Sequence, residues 1–356
     1  MGQRILARVD YARAPVGHDL VSGAMVRVGL DLDGSLESMN NSMQDLATAL
    51  SERGDLALVR FRTSSRRAAS DEARLALRSF WIPWWRRSRG RSIDTMLAPV
   101  DVVHVAGPAT PPTKNVPLLI TVDDLRPLRS EERTHQRVVQ LQRAVGRGAV
   151  LVVSSRAARH EVMAALNLER AEIVVVRPPV GHVDVTRSGT ALVVSVTGLA
   201  ERFDALAKDL QSFVHRHDAQ LIVVASTTVG QRLRASGITA AIVERRNSAS
   251  ALAQARCVVH ISDGARFPSF AVAALAAEVP TVALATDINR ELLNGAAALL
   301  HHNDEAVVTL EDLWTNDSRR AILIAAGRAR AADFSPWNVA SVYAALYADV
   351  AQRSSV

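Results

Sequence analysis

An α/β protein built from two doubly wound parallel sheets is predicted by three features of the sequence. Short runs of aliphatic, mostly β-branched residues recur along the chain, separated by stretches with helical spacing. This alternation breaks once, at Arg177-Pro178-Pro179-Val180-Gly181, and then restarts. The length, 356 residues, is about twice the roughly 100–200 of a single domain.

The elements follow in order. Val26–Asp31 is an apolar run that ends in Asp31-Leu32-Asp33-Gly34, a strand entering a turn. Met39, Met43, Leu46 and Leu50 then recur at helical spacing, and Gly54 stops that helix. Further strands are expected over Asp55–Phe61, Asp101–Val105, Pro117–Val122, Ala149–Ser154 and Glu172–Val176. Beyond the break come strands over Ala191–Val196, Leu221–Ala225, Ala240–Val243, Cys257–Ser262 and Pro280–Leu284, with helices over Arg202–His217 and Ser269–Ala277. Two helices, Asp317–Ala332 and Trp337–Ala351, close the chain. Strands apolar on both faces call for helices on both sides of each sheet.

The expected organisation is an N-terminal extension (1–25), a first Rossmann-like domain (26–178), a second (179–335) and a C-terminal helix (336–356) that crosses back to the first. Two such domains are expected to face a central cleft lined by the carboxyl ends of their strands, where sheets of this kind bind ligands.

Composition narrows the function. The chain is 48% hydrophobic and 22% charged, as in ordinary globular proteins, and no apolar run reaches the roughly 20 residues of a membrane-spanning helix. The first residues lack a signal-peptide pattern and Cys257 is the single cysteine, so a cytoplasmic protein without disulfides or a multi-cysteine metal site is expected. Residues 1–180 carry 26 Lys+Arg against 19 Asp+Glu, a net +7, whereas 181–356 carry 16 against 17. A basic first half suits an anionic partner. It holds no nucleic-acid-binding motif, so none of that class is expected. There is no phosphate-binding G-x-x-x-x-G-K-[ST] loop, no G-x-G-x-x-G after the first strand and no G-x-S-x-G elbow. His215, His217, His301 and His302 have no metal-ligand spacing and are expected to be solvated. Asp31 and Asp33 could converge on a metal across a bend, but a strand end with a turn aspartate is the simpler reading.

Phe80-Trp81-Ile82-Pro83-Trp84-Trp85-Arg86-Arg87-Ser88-Arg89-Gly90-Arg91 holds three of the five tryptophans, then four arginines and no acid. Indole rings favour the lipid headgroup region and arginines are drawn to anionic lipid. Trp81, Trp84, Trp85, Arg86, Arg87, Arg89 and Arg91 are therefore expected to form a membrane-surface patch on the inner face of the plasma membrane. The alternative is an aromatic cover over the first core with solvated arginines.

Asp101-Val-Val-His104, Pro111-Pro112, Leu119-Ile-Thr-Val-Asp123-Asp124-Leu125, Ser154-Ser155-Arg156 and Ile173-Val-Val-Val-Arg177-Pro178 resemble the N-terminal domain of retaining GT-B glycosyltransferases of the family-four type. Val259-His-Ile-Ser262 to Phe267, Ala274-Leu-Ala-Ala-Glu278-Val-Pro280, Thr286-Asp287-Ile288, Glu291, Ala296–Leu300 and Phe334-Ser-Pro-Trp337 resemble their C-terminal domain, so that the likeness covers about residues 26–350. The resemblance implies transfer, with retention, of a sugar from a nucleotide-diphosphate sugar to a carbohydrate or lipid-linked acceptor, with no cofactor required. It implies donor-binding roles for Gly34, Arg202, Ser262, Arg266, Phe267 and Glu291, and places Asp123 and Asp124 at the reacting sugar.

The sequence departs from that pattern where the chemistry sits. The two family glutamates, with seven residues between them, fall on Ala265 and Ala273. The arginine–lysine pair reads Arg202-Phe203, the N-domain histidine is Asp123, the glycine loop is Ser38-Met39-Asn40-Asn41-Ser42, and a helix glycine is Glu278. Each charged hydrogen bond is worth about 1.5–3 kcal/mol, and a micromolar donor binds with about 8 kcal/mol. Losing several therefore raises a second expectation: a catalytically inactive relative serving as partner or regulator of an active transferase.

Overall fold

The computed structural model describes residues 25–354 except 35–36, 64–68, 76–77, 98, 130, 169–172, 182, 184–188, 199 and 236–237. The extension expected over residues 1–25 lies outside the described residues apart from Met25. In chain order the first elements are β1 (Val26–Gly34), α1 (Glu37–Arg53), β2 (Leu56–Phe61), α2 (Arg78–Trp85), β3 (Val102–Ala106), β4 (Leu118–Val122), α3 (Arg126–Arg129), α4 (Glu131–Val145), β5 (Val150–Val153), α5 (Arg156–Leu166) and β6 (Ile173–Val175). There follow β7 (Ala191–Thr197), α6 (Ala200–Arg216), β8 (Gln220–Ala225), α7 (Thr227–Ala235), β9 (Ala241–Glu244), α8 (Ser248–Gln254), β10 (Ala255–Ser262), α9 (Ser269–Ala276), β11 (Thr281–Leu284), α10 (Asp287–Leu293), β12 (Ala298–Leu300), α11 (Glu305–Thr315), α12 (Asp317–Ala331) and α13 (Pro336–Ser354).

The described residues divide into two compact units, those up to 179 together with those from 336 onward, and those within 180–335. Each unit carries one six-stranded parallel sheet. The first has the order β2-β1-β3-β4-β5-β6 and the second β12-β11-β10-β7-β8-β9.

In the first unit β3, β4 and β5 are buried along their whole length, which explains their uninterrupted apolar runs. Met39, Met43, Leu46 and Leu50 form one buried stripe of α1. That stripe shares a core with Val339, Ala340, Tyr343, Leu346 and Tyr347 of α13, so the last helix is part of the first unit. Ser38–Ser42, aligned by resemblance with a glycine loop, is instead the first part of α1. Met39, Asn40 and Ser42 are buried there, and the Ser42 hydroxyl donates to the Pro179 carbonyl at 2.8 Å. A turn that begins a helix needs no glycine run.

In the second unit β7 is buried throughout. Leu192, Val194, Val259 and Ile261 face a core with Phe203, Leu206, Leu210 and Phe213 of α6, and Val193 and Val258 face Ala251, Ala274 and Val279 on the other side. The Val180 N–H donates to the Phe334 carbonyl at 2.8 Å, tying the entry of this unit to its exit.

Candidate functional sites at the carboxyl edges

In each sheet the chain runs outward on one side of the first strand and then returns on the other. The reversal lies between β1 and β3 in the first unit and between β7 and β10 in the second. Carboxyl ends at such a reversal leave a crevice where open α/β sheets take ligands.

At the second reversal β7 ends in Thr197-Gly198 and β10 in Ser262-Asp263-Gly264. Gly198 has φ +93°, and a Cβ there would collide with the Asp263 carboxylate. The Asp263 N–H donates to the Thr197 carbonyl at 3.3 Å, joining the two strand ends. The Ser262 hydroxyl accepts from the Gly264 N–H at 3.0 Å, and Asp263 Oδ1 accepts from the Ala265 N–H at 3.0 Å. Gly264 has φ +68° and leaves no room for a Cβ, which would stand 2.9 Å from the Thr286 side chain. Two glycine turns thus let the Asp263 carboxylate and the Thr286 side chain pack directly on the backbone at the strand ends.

Arg245, just after β9, reaches the edge of β7 and donates to the Val196 carbonyl at 2.8 Å and to Thr197 Oγ1 at 3.0 Å. Arg202 stands exposed in the first turn of α6, while its neighbour Phe203 is buried in the core. Arg266 is half-buried. Phe267 is buried, its ring 5.6 Å from Phe334. Ala265 is fully buried and Ala273 half-buried on α9. Glu291 lies on α10, its carbonyl accepting from Arg330 at 3.0 Å. Ser262 and its following turn therefore sit at the reversal, with Arg202 presented from the first turn of the helix that follows β7. Glu278 adopts φ +57°, the left-handed conformation a helix-ending glycine takes without strain, and pairs with Arg328 at 3.5 Å.

His260, two residues before the end of β10, is buried, and neither ring nitrogen has a hydrogen-bond partner among the described residues. Burial, reinforced by the Arg245 charge, pulls it down to about 3, so the ring is neutral.

At the first reversal Asp31 and Asp33 end β1. Asp31 is fully buried; Oδ2 accepts from the Thr63 hydroxyl at 2.5 Å, and Oδ1 from the N–H groups of Thr63 (3.1 Å) and Asp33 (3.0 Å). Burial and then the Asp33 charge push Asp31 up to about 8. Asp33 pairs with Arg62 at 3.3 Å, and Arg62 also meets Glu72 at 2.9 Å. Gly107, after β3, closes the crevice: a Cβ there would stand 3.6 Å from Asp31 Oδ2. Gly34 is required by packing, since a Cβ would strike Met39, and its N–H donates to Asn40 Oδ1 at 2.6 Å. Among the described residues no three His, Cys, Asp or Glu side chains gather to hold a metal.

Asp123 follows β4 and is buried. Asp124 is committed to Arg126, which donates Nε at 3.1 Å and Nη2 at 2.8 Å. The charges of both aspartates also act on Arg137 of α4, opposing the burial that lowers its guanidinium. Arg62, Thr63, Arg137 and Arg245 were not visible as site residues in the sequence. They arrive from 13 or more positions away along the chain, and no local motif marks them.

The aromatic–arginine segment forms α2 and the turn after it. Trp85, expected at a surface, is instead fully buried. Its indole N–H donates to the Arg91 carbonyl at 3.0 Å, and its carbonyl accepts from the Thr110 N–H at 3.0 Å. Trp81 is half-buried against Phe80, and Trp84 is exposed. His217, expected to be solvated, is half-buried and bonded to Glu311 at 2.7 Å.

No protein-family model and no curated protein matches the chain in sequence. Solved structures do match in shape. Sucrose-phosphate synthase from Thermosynechococcus elongatus superposes with a TM-score of 0.64 at 12% identity, over 91% of this chain and 98% of that one. HepE from Anabaena, in complex with UDP and glucose, gives 0.60 at 12% identity, over 91% and 99%. WaaG, a glycosyltransferase involved in lipopolysaccharide biosynthesis, gives 0.58 at 12%, over 91% and 99%. The chain spans 58% of the length of TarM, which is also similar. With its two six-stranded parallel sheets and flanking helices, the chain has the GT-B fold of these glycosyltransferases.

Proposed function

We propose that the chain is a nucleotide-sugar-dependent glycosyltransferase of the retaining, family-four type with a diverged donor site. The observation that carries this reading is the carboxyl edge of the second unit. There the left-handed Gly198 and Gly264 turn the two strand ends at the reversal, beside the Ser262 hydroxyl, and the first turn of α6 follows with Arg202 as an exposed cation. Backbone N–H groups and a guanidinium suit a diphosphate leaving group, whose charge grows as the glycosidic bond breaks. That HepE was solved with UDP and glucose supports the same ligand class.

In this reading Arg202 holds the diphosphate, and Ser262, Arg266, Phe267 and Glu291 line the donor. The first unit takes a carbohydrate or lipid-linked acceptor near Asp123, with Gly34 at the end of β1. Asp124 acts through its pair with Arg126 rather than on substrate. No helix among the described residues is long and apolar enough to cross a membrane; a cytoplasmic site of action is part of the proposal.

The buried methyl of Ala265 favours a second reading. A methyl group cannot hydrogen-bond a sugar hydroxyl, and Ala273 supplies none either. A GT-B chain that has lost these carboxylates would serve as the non-catalytic partner of an active transferase.

A thermal-shift panel of nucleoside diphosphates and their sugars separates the readings. A donor at 100 times its dissociation constant adds about 2.7 kcal/mol of stability, and Arg202→Ala should abolish that gain for the diphosphate. Silence across the panel would reject donor binding and leave the partner reading.

A further inference from the structure

We propose that α2 and the turn after it, together with the end of α4, form a docking surface for anionic lipid headgroups. Phe80 and Trp84 lie four residues apart on one face of α2 and are 60% and 47% exposed, unusual for large aromatics. The chain then folds back on itself. The Arg89 N–H donates to the Trp84 carbonyl at 3.0 Å, and Gly90, at φ +95°, lies so close that a Cβ there would stand 3.0 Å from Trp84 Cβ and 3.1 Å from the Trp81 ring. Residues 89–91 thereby fold back against α2 rather than running on beyond it.

Two more arginines join from α4 and its C-terminal turn. Arg143 donates to the Arg87 carbonyl at 3.2 Å, and Arg147 to the Ser88 carbonyl at 2.5 Å and to the Ser88 hydroxyl. Arg86, Arg87, Arg89, Arg91, Arg143 and Arg147 are all exposed, and none forms a salt bridge with a described residue. Beyond burial, the charges of Arg143 and Arg89 lower the Arg147 guanidinium further, the mark of crowded like charges. The first acid downstream, Asp94, is turned to the N–H groups of Lys114 and Asn115.

An exposed aromatic pair on α2, followed by a turn that gathers six guanidinium groups without a salt bridge to a described residue, matches a lipid surface in both its parts. The rings enter the headgroup boundary while the arginines meet phosphate. Nucleic acid would use the arginines but offers no apolar layer for Phe80 and Trp84. Buried Trp85 is the anchor of this surface, not a member of it.

The test is flotation of the full chain with phosphatidylcholine vesicles and with vesicles that also carry phosphatidylglycerol. Binding is expected only to the second kind and should be reversed by high salt. Removing each exposed arginine as Arg→Gln should weaken binding about fivefold. Phe80→Ser with Trp84→Ser should weaken it further while leaving the unfolding midpoint unchanged. Equal binding to both vesicles, or binding unaffected by these substitutions, would overturn the proposal. So would retention on single-stranded RNA that depends on the arginines without any vesicle binding. None of these readouts needs a sugar donor, so their outcome is independent of the donor site.

Discussion

His104 Nδ1 of β3 lies 2.7 Å from the hydroxyl of Tyr347 on α13, a contact between residues 243 positions apart. His104 Nε2 lies 2.8 Å from Thr121 Oγ1 on β4, and Tyr343 stacks on the imidazole with ring centroids 5.3 Å apart. Burial pulls His104 down to about 3, so a neutral ring bridges the hydroxyl of the last helix to that of a central strand. This polar bridge fixes where α13 lies on the first sheet.

Tyr347→Phe removes one partner and leaves a buried ring nitrogen unsatisfied, at a cost of about 1–3 kcal/mol. The loss should fall on the first unit. It is measured by urea unfolding followed through Trp337, and an unchanged midpoint would show the bridge to be incidental.

Acid and alkali should act differently on the two units. His104 and His260 are neutral when folded, and the unfolded chain takes up their protons below about 6.5, so each unit loses stability as pH falls from there towards 3. Asp31 works the other way: held at about 8 in the fold and near 4 unfolded, it contributes stability in acid that is lost as pH rises from about 4 to 8. Between pH 6.5 and 4.5 the second unit, followed through Trp314, should lose up to about 1.4 kcal/mol per pH unit, and the first unit less. Above pH 6.5 the first unit should decline, and Asp31→Asn should flatten that decline. Parallel curves for the two units would contradict this assignment.

The tryptophans of α2 separate cleanly. Trp85→Ala empties a fully buried site and should cost about 3–5 kcal/mol in the first unit. Trp84→Ala should stay within about 0.5 kcal/mol. Comparable losses from both would mean that Trp84 is also part of the core.

Gly198→Ala forces a left-handed backbone on alanine and drives its methyl into the Asp263 carboxylate. A loss of more than about 1 kcal/mol in the second unit is expected. Asp263→Ala in the same chain should recover part of it; no recovery would place the strain in the backbone alone.

Much of the fold was legible because parallel strands buried on both faces must be apolar throughout, as β3 and β7 are. The stripe of Met39, Met43, Leu46 and Leu50 likewise revealed α1. The three-residue β12 carried too few residues to show a period. Trp85 could not be told from Trp84, since in an eight-residue helix interrupted by Pro83 no pattern separates the inward ring from the outward one. The site was less legible still. Asp31 owes its proton to burial and to Asp33, but two of its three hydrogen bonds come from Thr63, 32 residues on. The basic patch was half visible, because Arg143 and Arg147 reach it from 56 and 59 residues away.

The most direct test is hydrogen exchange of the full chain with and without a nucleoside diphosphate. Protection is expected at the second reversal, over residues 197–203 and 262–271, and it should vanish in Arg202→Ala. Exchange unchanged in those two segments at saturating ligand, or protection confined to the first unit, would contradict the account.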